Sequence, residues 1–166
     1  MVKRIIFLVF LSVAALTLYS QDRGVVCADL LKVFQSYYKT KEADDYLKSK
    51  ADELQKEIDV MRGEINDLDK LLKSGILSGE EKAKKTKEME EKKRALQEKI
   101  KNSNLLMMEE RRRKVEEILK ELQEKVKEFA KKKGYKLIID KKDVLFAEET
   151  VDVTEELIDF VNAGKK

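Results

Sequence analysis

From Leu47 onward, apolar residues recur at steps of four and three without a break: Leu47, Ala51, Leu54, Ile58, Met61, Ile65, Leu68 and Leu72. That is a strict heptad seam, and a helix carrying one needs a partner helix to cover it. The partner lies further along the same chain. After Ser74-Gly75-Ile76-Leu77-Ser78-Gly79, a short Gly/Ser-rich knot in a long charged stretch, a second seam runs through Thr86, Met89, Lys93, Leu96, Ile100, Ser103 and Met107. A fold at about residue 77 sets Leu54 against Ile100, Ile58 against Leu96 and Ile65 against Met89, a register that periodicity fixes to within a heptad. At 1.5 Å per residue such an arm is roughly 45–50 Å long. It is built to reach, not to enclose an active site.

The first twenty residues stand apart from this pattern. Lys3-Arg4 precedes a run from Ile5 to Leu18 that is apolar except for Ser12 and Thr17, and Ser20 offers a small residue before Gln21-Asp22. The stretch reads as a signal peptide over residues 1–20 and implies export, most simply to a bacterial periplasm. An uncleaved membrane anchor is the rival reading, but the run is short for a hydrocarbon core of about 30 Å. Lipidation at Cys27 does not fit, because Val26 precedes it and Asp22 and Arg23 interrupt the approach.

Cys27 is the only cysteine, so no intrachain disulfide forms even in an oxidising compartment, and its simplest role is that of a small buried strand residue. Histidine and proline are absent. Without His or a second Cys the commonest metal ligands and proton shuttles are missing, so no metal and no cofactor is expected. Without Pro, long helices run uninterrupted. The formal charge is +3, and removal of Lys3 and Arg4 with the leader leaves 34 basic against 33 acidic residues. Such a balance gives no reason to expect nucleic acid as a partner. Local charge is more informative. Lys82, Lys84, Lys85 and Lys87 cluster just past the hairpin tip, and Lys92, Lys93 and Arg94 follow; a solvated coiled-coil face with Glu neighbours accounts for most of them, but Lys82 to Lys87 is the one stretch where base outweighs acid.

The flanks of the hairpin carry a different pattern. Arg23 to Asp29 (RGVVCAD) is β-branched and reads as a strand; Leu30, Leu31, Val33 and Phe34 continue as a short amphipathic helix, and Tyr37-Tyr38 marks the entry to an outgoing arm placed at about Thr40 to Lys73. The return helix starts near Ser78, with Glu80 and Glu81 in its first turn, and stops at Gly134 after three lysines. Its seam slips once between Met107 and Ile118, as at a stutter, before a richer apolar stripe that includes Leu122, Val126 and Phe129. Tyr135–Asp140 and Val144–Ala147 are expected to be two strands of an antiparallel hairpin turning at Lys141-Lys142-Asp143, followed by a last helix from Glu155 to Asn162 capped by Asp152 or Thr154. The expected division is a leader over 1–20, a small α/β body from 21–39 and 134–166, and a helical arm over 40–133 with its tip near 74–79. A body this small, with open strand edges, calls for several copies closing against one another. Val25, Val26, Ile138, Ile139, Val144 and Phe146 are the candidates for that interface.

These pieces resemble the Skp/OmpH family of periplasmic chaperones. The resemblance rests on Leu30 to Lys39 (LLKVFQSYYK) behind the first strand, on Ala130 to Asp140 (AKKKGYKLIID), on Val144 to Ala147 (VLFA), and on Asp152 to Ile158 (DVTEELI), in that order around a charged hairpin. It implies a mainly α fold with a small β body, a long antiparallel coiled-coil hairpin as a tentacle, and a jellyfish-like homotrimer. It further implies an ATP-independent holdase that keeps unfolded outer-membrane proteins from aggregating in a cavity between tentacles. The basic tip residues Lys82, Lys84, Lys85 and Lys87 would then face membrane or lipopolysaccharide. The near-neutral charge departs from the strongly basic best-known member.

A holdase works through many weak apolar contacts, and flexible Met suits a promiscuous surface. Apolar residues off the seam are the candidates for client contact: Val60 and Leu71 on the outgoing arm, Leu105, Leu106 and Met108 on the return. The polar seam positions Thr86, Lys93 and Ser103 are expected to loosen the far half of the arm. A structural coiled-coil tether anchored in the envelope is the alternative function. No set of polar residues converges as a catalytic site, so the chain is not expected to be an enzyme.

Overall fold

A computed structural model describes residues 24–164 of the chain. The expected signal peptide over residues 1–20 lies outside them. The order of elements is β1 (Val25–Ala28), α1 (Leu30–Ser36), α2 (Tyr38–Lys73), α3 (Gly79–Lys133), β2 (Leu137–Asp140) and α4 (Thr154–Asn162), with short 3-10 turns at Lys141–Asp143 and Glu149–Val151. Helices dominate, as the heptads require. The chain forms two compact units. One joins residues 24–37 with residues 121–164; the other spans Tyr38–Lys120. The first unit therefore takes in residues 121–133 of α3, the stripe of Leu122, Val126 and Phe129.

The second unit is the hairpin. Leu47, Leu54, Ile58 and Leu68 are buried along α2, and Met61, Ile65 and Leu72 are half-buried, so one face of the helix is covered at heptad spacing except at Ala51, which is exposed. Two ion pairs cross between the arms a heptad apart. Lys92 Nζ lies 2.6 Å from Glu64 Oε2, and Lys99 pairs with Glu57. Ile65, Met89 and Leu96 line one cleft, and Leu47 shares another with Met107. These neighbours match the register in which Ile65 faces Met89. Cross-arm charge pairs beside an apolar seam are the usual means by which a coiled coil sets its register.

The tip is closed by local chemistry. Lys70 and Lys73 stand in the last turn of α2, and Gly75 takes a φ of +76°, a left-handed conformation that residues with a Cβ rarely adopt. Ser78 and Glu81 then form a reciprocal cap at the start of α3. The Ser78 N–H donates to Glu81 Oε2 at 2.9 Å, and the Glu81 N–H donates to Ser78 Oγ at 3.4 Å. At the other end of α3, Gly134 has a φ of +77°, and the Tyr135 N–H donates back to the Ala130 carbonyl at 2.9 Å. That is the six-to-one closure expected where a glycine ends a helix.

The first unit is built around β1. It pairs in parallel with β2, Val25 opposite Leu137 through Ala28 opposite Asp140. On its other side it makes a bridge from Cys27 to Asp152, where the Val153 N–H donates to the Cys27 carbonyl at 2.9 Å. Val26, Cys27 and Ala28 are accordingly buried. Helix α1 packs on α4, and Val33, Tyr37, Phe129, Leu157 and Val161 form the core. Phe129 meets Tyr135 and Phe160 with ring centroids 5.7 and 5.3 Å apart, tilted as aromatic pairs prefer.

One expected element does not form. Val144–Ala147 is not a strand, and among the described residues β2 has no antiparallel partner. The cause lies in the turn. Asp140 Oδ1 accepts from the Lys142 N–H at 3.3 Å, and the Val144 N–H donates to the Lys141 carbonyl at 3.1 Å, winding residues 141–143 into a 3-10 turn. A two-residue hairpin turn would have returned the chain along β2. Instead Leu145 is fully exposed and Phe146 is 81% exposed.

Candidate functional site

The hairpin unit carries the apolar residues that neither seam uses. Val60 and Met108 are each 63% exposed, and Leu105 and Leu106 are exposed beside Met108 on α3. Leu71 is half-buried near the tip. Four of the five expected contact residues therefore present apolar surface to solvent, three of them within one turn of α3. Single exposed apolar residues are ordinary; a cluster of them on a helix this rich in charge is not.

Around this cluster the surface is laced with ion pairs. The Glu64 carboxylate beside Lys92 holds its ammonium above the ordinary range, and the Lys99 ammonium beside Glu57 holds that carboxyl below it. Arg113 bonds Glu110 and lies 3.3 Å from Glu117; the contact to Glu110 is the main cause raising its guanidinium pKa. These groups are solvated, so they tune surface chemistry rather than stability. At the tip, Lys82, Lys84 and Lys87 are exposed, whereas Lys85 is half-buried and sits 2.7 Å from Glu88. Ile76 projects between the helix ends, 76% exposed, a feature that charge counting alone does not reveal.

The seam positions expected to be soft differ from one another. Lys93 is exposed, and the Thr86 hydroxyl donates back to the Lys82 carbonyl at 2.8 Å. Ser103 is 6% exposed, and its Oγ finds no hydrogen-bond partner among the described residues.

In the body unit the six expected interface residues divide. Val26 belongs to the body's own core. Val25 and Phe146 are exposed, and Ile138, Ile139 and Val144 are half-buried. Leu31, Leu137 and Leu145, not among those six, are also exposed in the body unit.

A polar cluster lies at one end of the body. Partial burial pushes the Asp152 carboxyl up, but hydrogen bonds from Lys141 and from the Thr154 hydroxyl and N–H outweigh it and hold its pKa at about 2, against an ordinary 3.8. Lys141 Nζ lies 2.6 Å from Asp152, and the Thr154 Oγ1 in turn accepts from the Asp29 N–H at 2.9 Å. Lys32 pairs with Glu155 in the same cluster. Each charge here is answered by a neighbour, which marks the cluster as a brace for β1, α1 and α4. Among the described residues, no group of three or more His, Cys, Asp or Glu side chains could hold a metal ion, and no helix is long and apolar enough to cross a membrane.

The sequence model of the OmpH-like outer membrane protein family matches residues 24–160. The chain belongs to this family. Its fold is also that of a crystal structure of an OmpH-like protein from Caulobacter crescentus CB15, with a TM-score of 0.76, 17% identity and 84% of each chain covered. No curated protein matches the chain significantly. The OmpH-like family is not an enzyme family.

Proposed function

We propose that this OmpH-like chain is an ATP-independent holdase of the bacterial periplasm that binds unfolded outer-membrane proteins and prevents their aggregation. The observation that carries the reading is the set Val60, Leu105, Leu106 and Met108, left exposed on a charged hairpin whose seam is already filled by other residues. Family membership supports it, as does the role proposed for the Caulobacter protein, that of an outer membrane chaperone. Each exposed side chain contributes a weak, non-directional contact of about 25 cal/mol per Å² buried. Several together hold an unfolded chain, and each is weak enough to release one that folds.

The working form in this proposal is a homotrimer closed through the body. Val25, Leu137, Leu145 and Phe146 supply an exposed apolar surface beside the open edge of β2. Covering both with further copies removes the unpaired edge and the apolar patch at once. The lysines at the tip, together with Ile76, suit peripheral contact with a membrane or with lipopolysaccharide.

Light scattering tests the proposal, on the protein alone and after dilution of a urea-denatured outer-membrane barrel into it. A trimer mass that gains one client and keeps it in solution is the expected result. A smaller species that leaves the client to precipitate overturns the reading and favours an envelope tether.

A further inference from the structure

A cleft of about 510 Å³ opens on the hairpin unit between α2 and α3, lined by Asp44, Leu47, Lys48, Met107, Met108 and Arg111. Its apolar lining is soft, made by Leu47 and two adjacent methionines, of which Met108 is exposed. Its rim carries two cations and one carboxylate. Neither Lys48 nor Arg111 has an ion-pair partner among the described residues, although Asp44 and Lys48 stand one helical turn apart. The neighbouring cations are otherwise occupied: Lys50 reaches Glu53, Arg112 reaches Glu116, and Arg113 and Lys114 both reach Glu117. In a run of four basic residues, the one that is unpaired is the one that lines the cleft.

Resting on the holdase reading, we infer that this cleft is a subsite for aromatic side chains of the client, tryptophan and tyrosine above all. Methionine sulfur makes favourable contacts with aromatic rings, and a guanidinium or ammonium without a counter-ion is free to lie over a ring face. The Asp44 carboxylate would accept from an indole N–H or a phenol O–H at the rim. The same surface already makes such a contact within the chain, where Lys114 Nζ sits 5.1 Å from the centroid of the half-exposed Tyr46 ring. The client class supplies the matching groups, because outer-membrane barrels carry girdles of aromatic residues at both membrane interfaces. In an unfolded barrel these rings are spread along the chain, and each is a handle that an aliphatic side chain does not duplicate.

The chain contains no tryptophan, so tryptophan emission in a mixture reports the client alone. The test compares the full-length secreted protein with its M108Q/R111Q double variant, both positions being exposed and off the seam. Two unfolded barrel clients of equal charge are titrated, one natural and one with its girdle aromatics replaced by leucine except for a single reporter tryptophan outside the girdles. The double variant is expected to lose about 10-fold in affinity for the natural client, and at least about fivefold more than it loses for the leucine client. Equal losses for both clients, or none, overturn the aromatic subsite and leave the holdase reading standing. Failure of the unaltered protein to hold either client overturns the holdase reading, and the subsite with it. Circular dichroism on the variant, showing unchanged helicity, ties any loss to the cleft.

Discussion

The Tyr37 hydroxyl donates to Glu121 Oε1 at 2.7 Å, joining residues 84 positions apart in the chain. Tyr37 is fully buried and sits between α1 and α2, while Glu121 begins the part of α3 that belongs to the body unit. One side chain thus joins the end of α1 to the part of α3 that lies within the body unit. Tyr37→Phe keeps the ring and removes this bond, and is expected to lower the unfolding free energy by about 1 kcal/mol. Tyr37→Ala, which also empties the core site, should cost about 3–5 kcal/mol. Urea titrations followed by far-ultraviolet circular dichroism would separate the two.

The Ser78–Glu81 cap predicts a local effect. Glu81 is held below its ordinary pKa by hydrogen bonds from the Ser78 side chain and backbone, a sign that its charged form closes the cap. Ser78→Ala should cost about 1 kcal/mol. Amide exchange should accelerate through residues 80–85 and stay unchanged at residues 121–133.

Asp152 gives the body an acid limit. Its folded pKa of about 2 lies below the ordinary 3.8, so its contribution is present above the unfolded value and is lost as pH falls through the folded one. The gap corresponds to about 2 kcal/mol at neutral pH. Asp152→Asn should therefore be less stable by about that amount at pH 7. The difference between the two proteins should shrink between about pH 4 and pH 2; thermal melts across that range that keep a constant difference would contradict the assignment.

Ser103 is a seam residue whose buried hydroxyl has no partner among the described residues. Ser103→Ala removes an unsatisfied polar group and gains helix propensity, so it is expected to stabilise the hairpin by about 0.5–1 kcal/mol. A destabilised variant would mean that the hydroxyl is satisfied in solution.

Phe146 tests the assembly. Phe146→Glu places a charge on the proposed interface while leaving the chain's own core intact, since the side chain is mostly exposed. The expected outcome is a lower mass by light scattering with unchanged helicity. A trimer that persists would move the interface away from this segment.

The arm was legible because its physics is local and repetitive. Leu54, Ile58 and Leu68 announce a buried face by spacing alone, and Ser78, Glu81 and Gly134 announce helix ends by their side chains or the lack of one. The exposure of Val60, Leu105, Leu106 and Met108 was legible for the same reason, as apolar positions that the seam leaves over. What escaped was chemistry that depends on neighbours distant in sequence. Nothing local shows that Arg111 is unpaired while Arg112 and Arg113 are paired, or that it shares a cleft with Leu47.

The body shows the same division. Short apolar, β-branched runs were enough to mark Arg23–Asp29 and Tyr135–Asp140 as strands, within which Val25–Ala28 and Leu137–Asp140 form, because each segment's preference is carried by its own side chains. Their parallel pairing, and the failure of Val144–Ala147 to return along β2, were settled by contacts that close only in three dimensions. A strand's partner is chosen by which edge lies open when the core forms, and helices α1 and α4 and the Asp152 brace set that edge for β1. Periodicity is a property of a segment; pairing is a property of the packed whole.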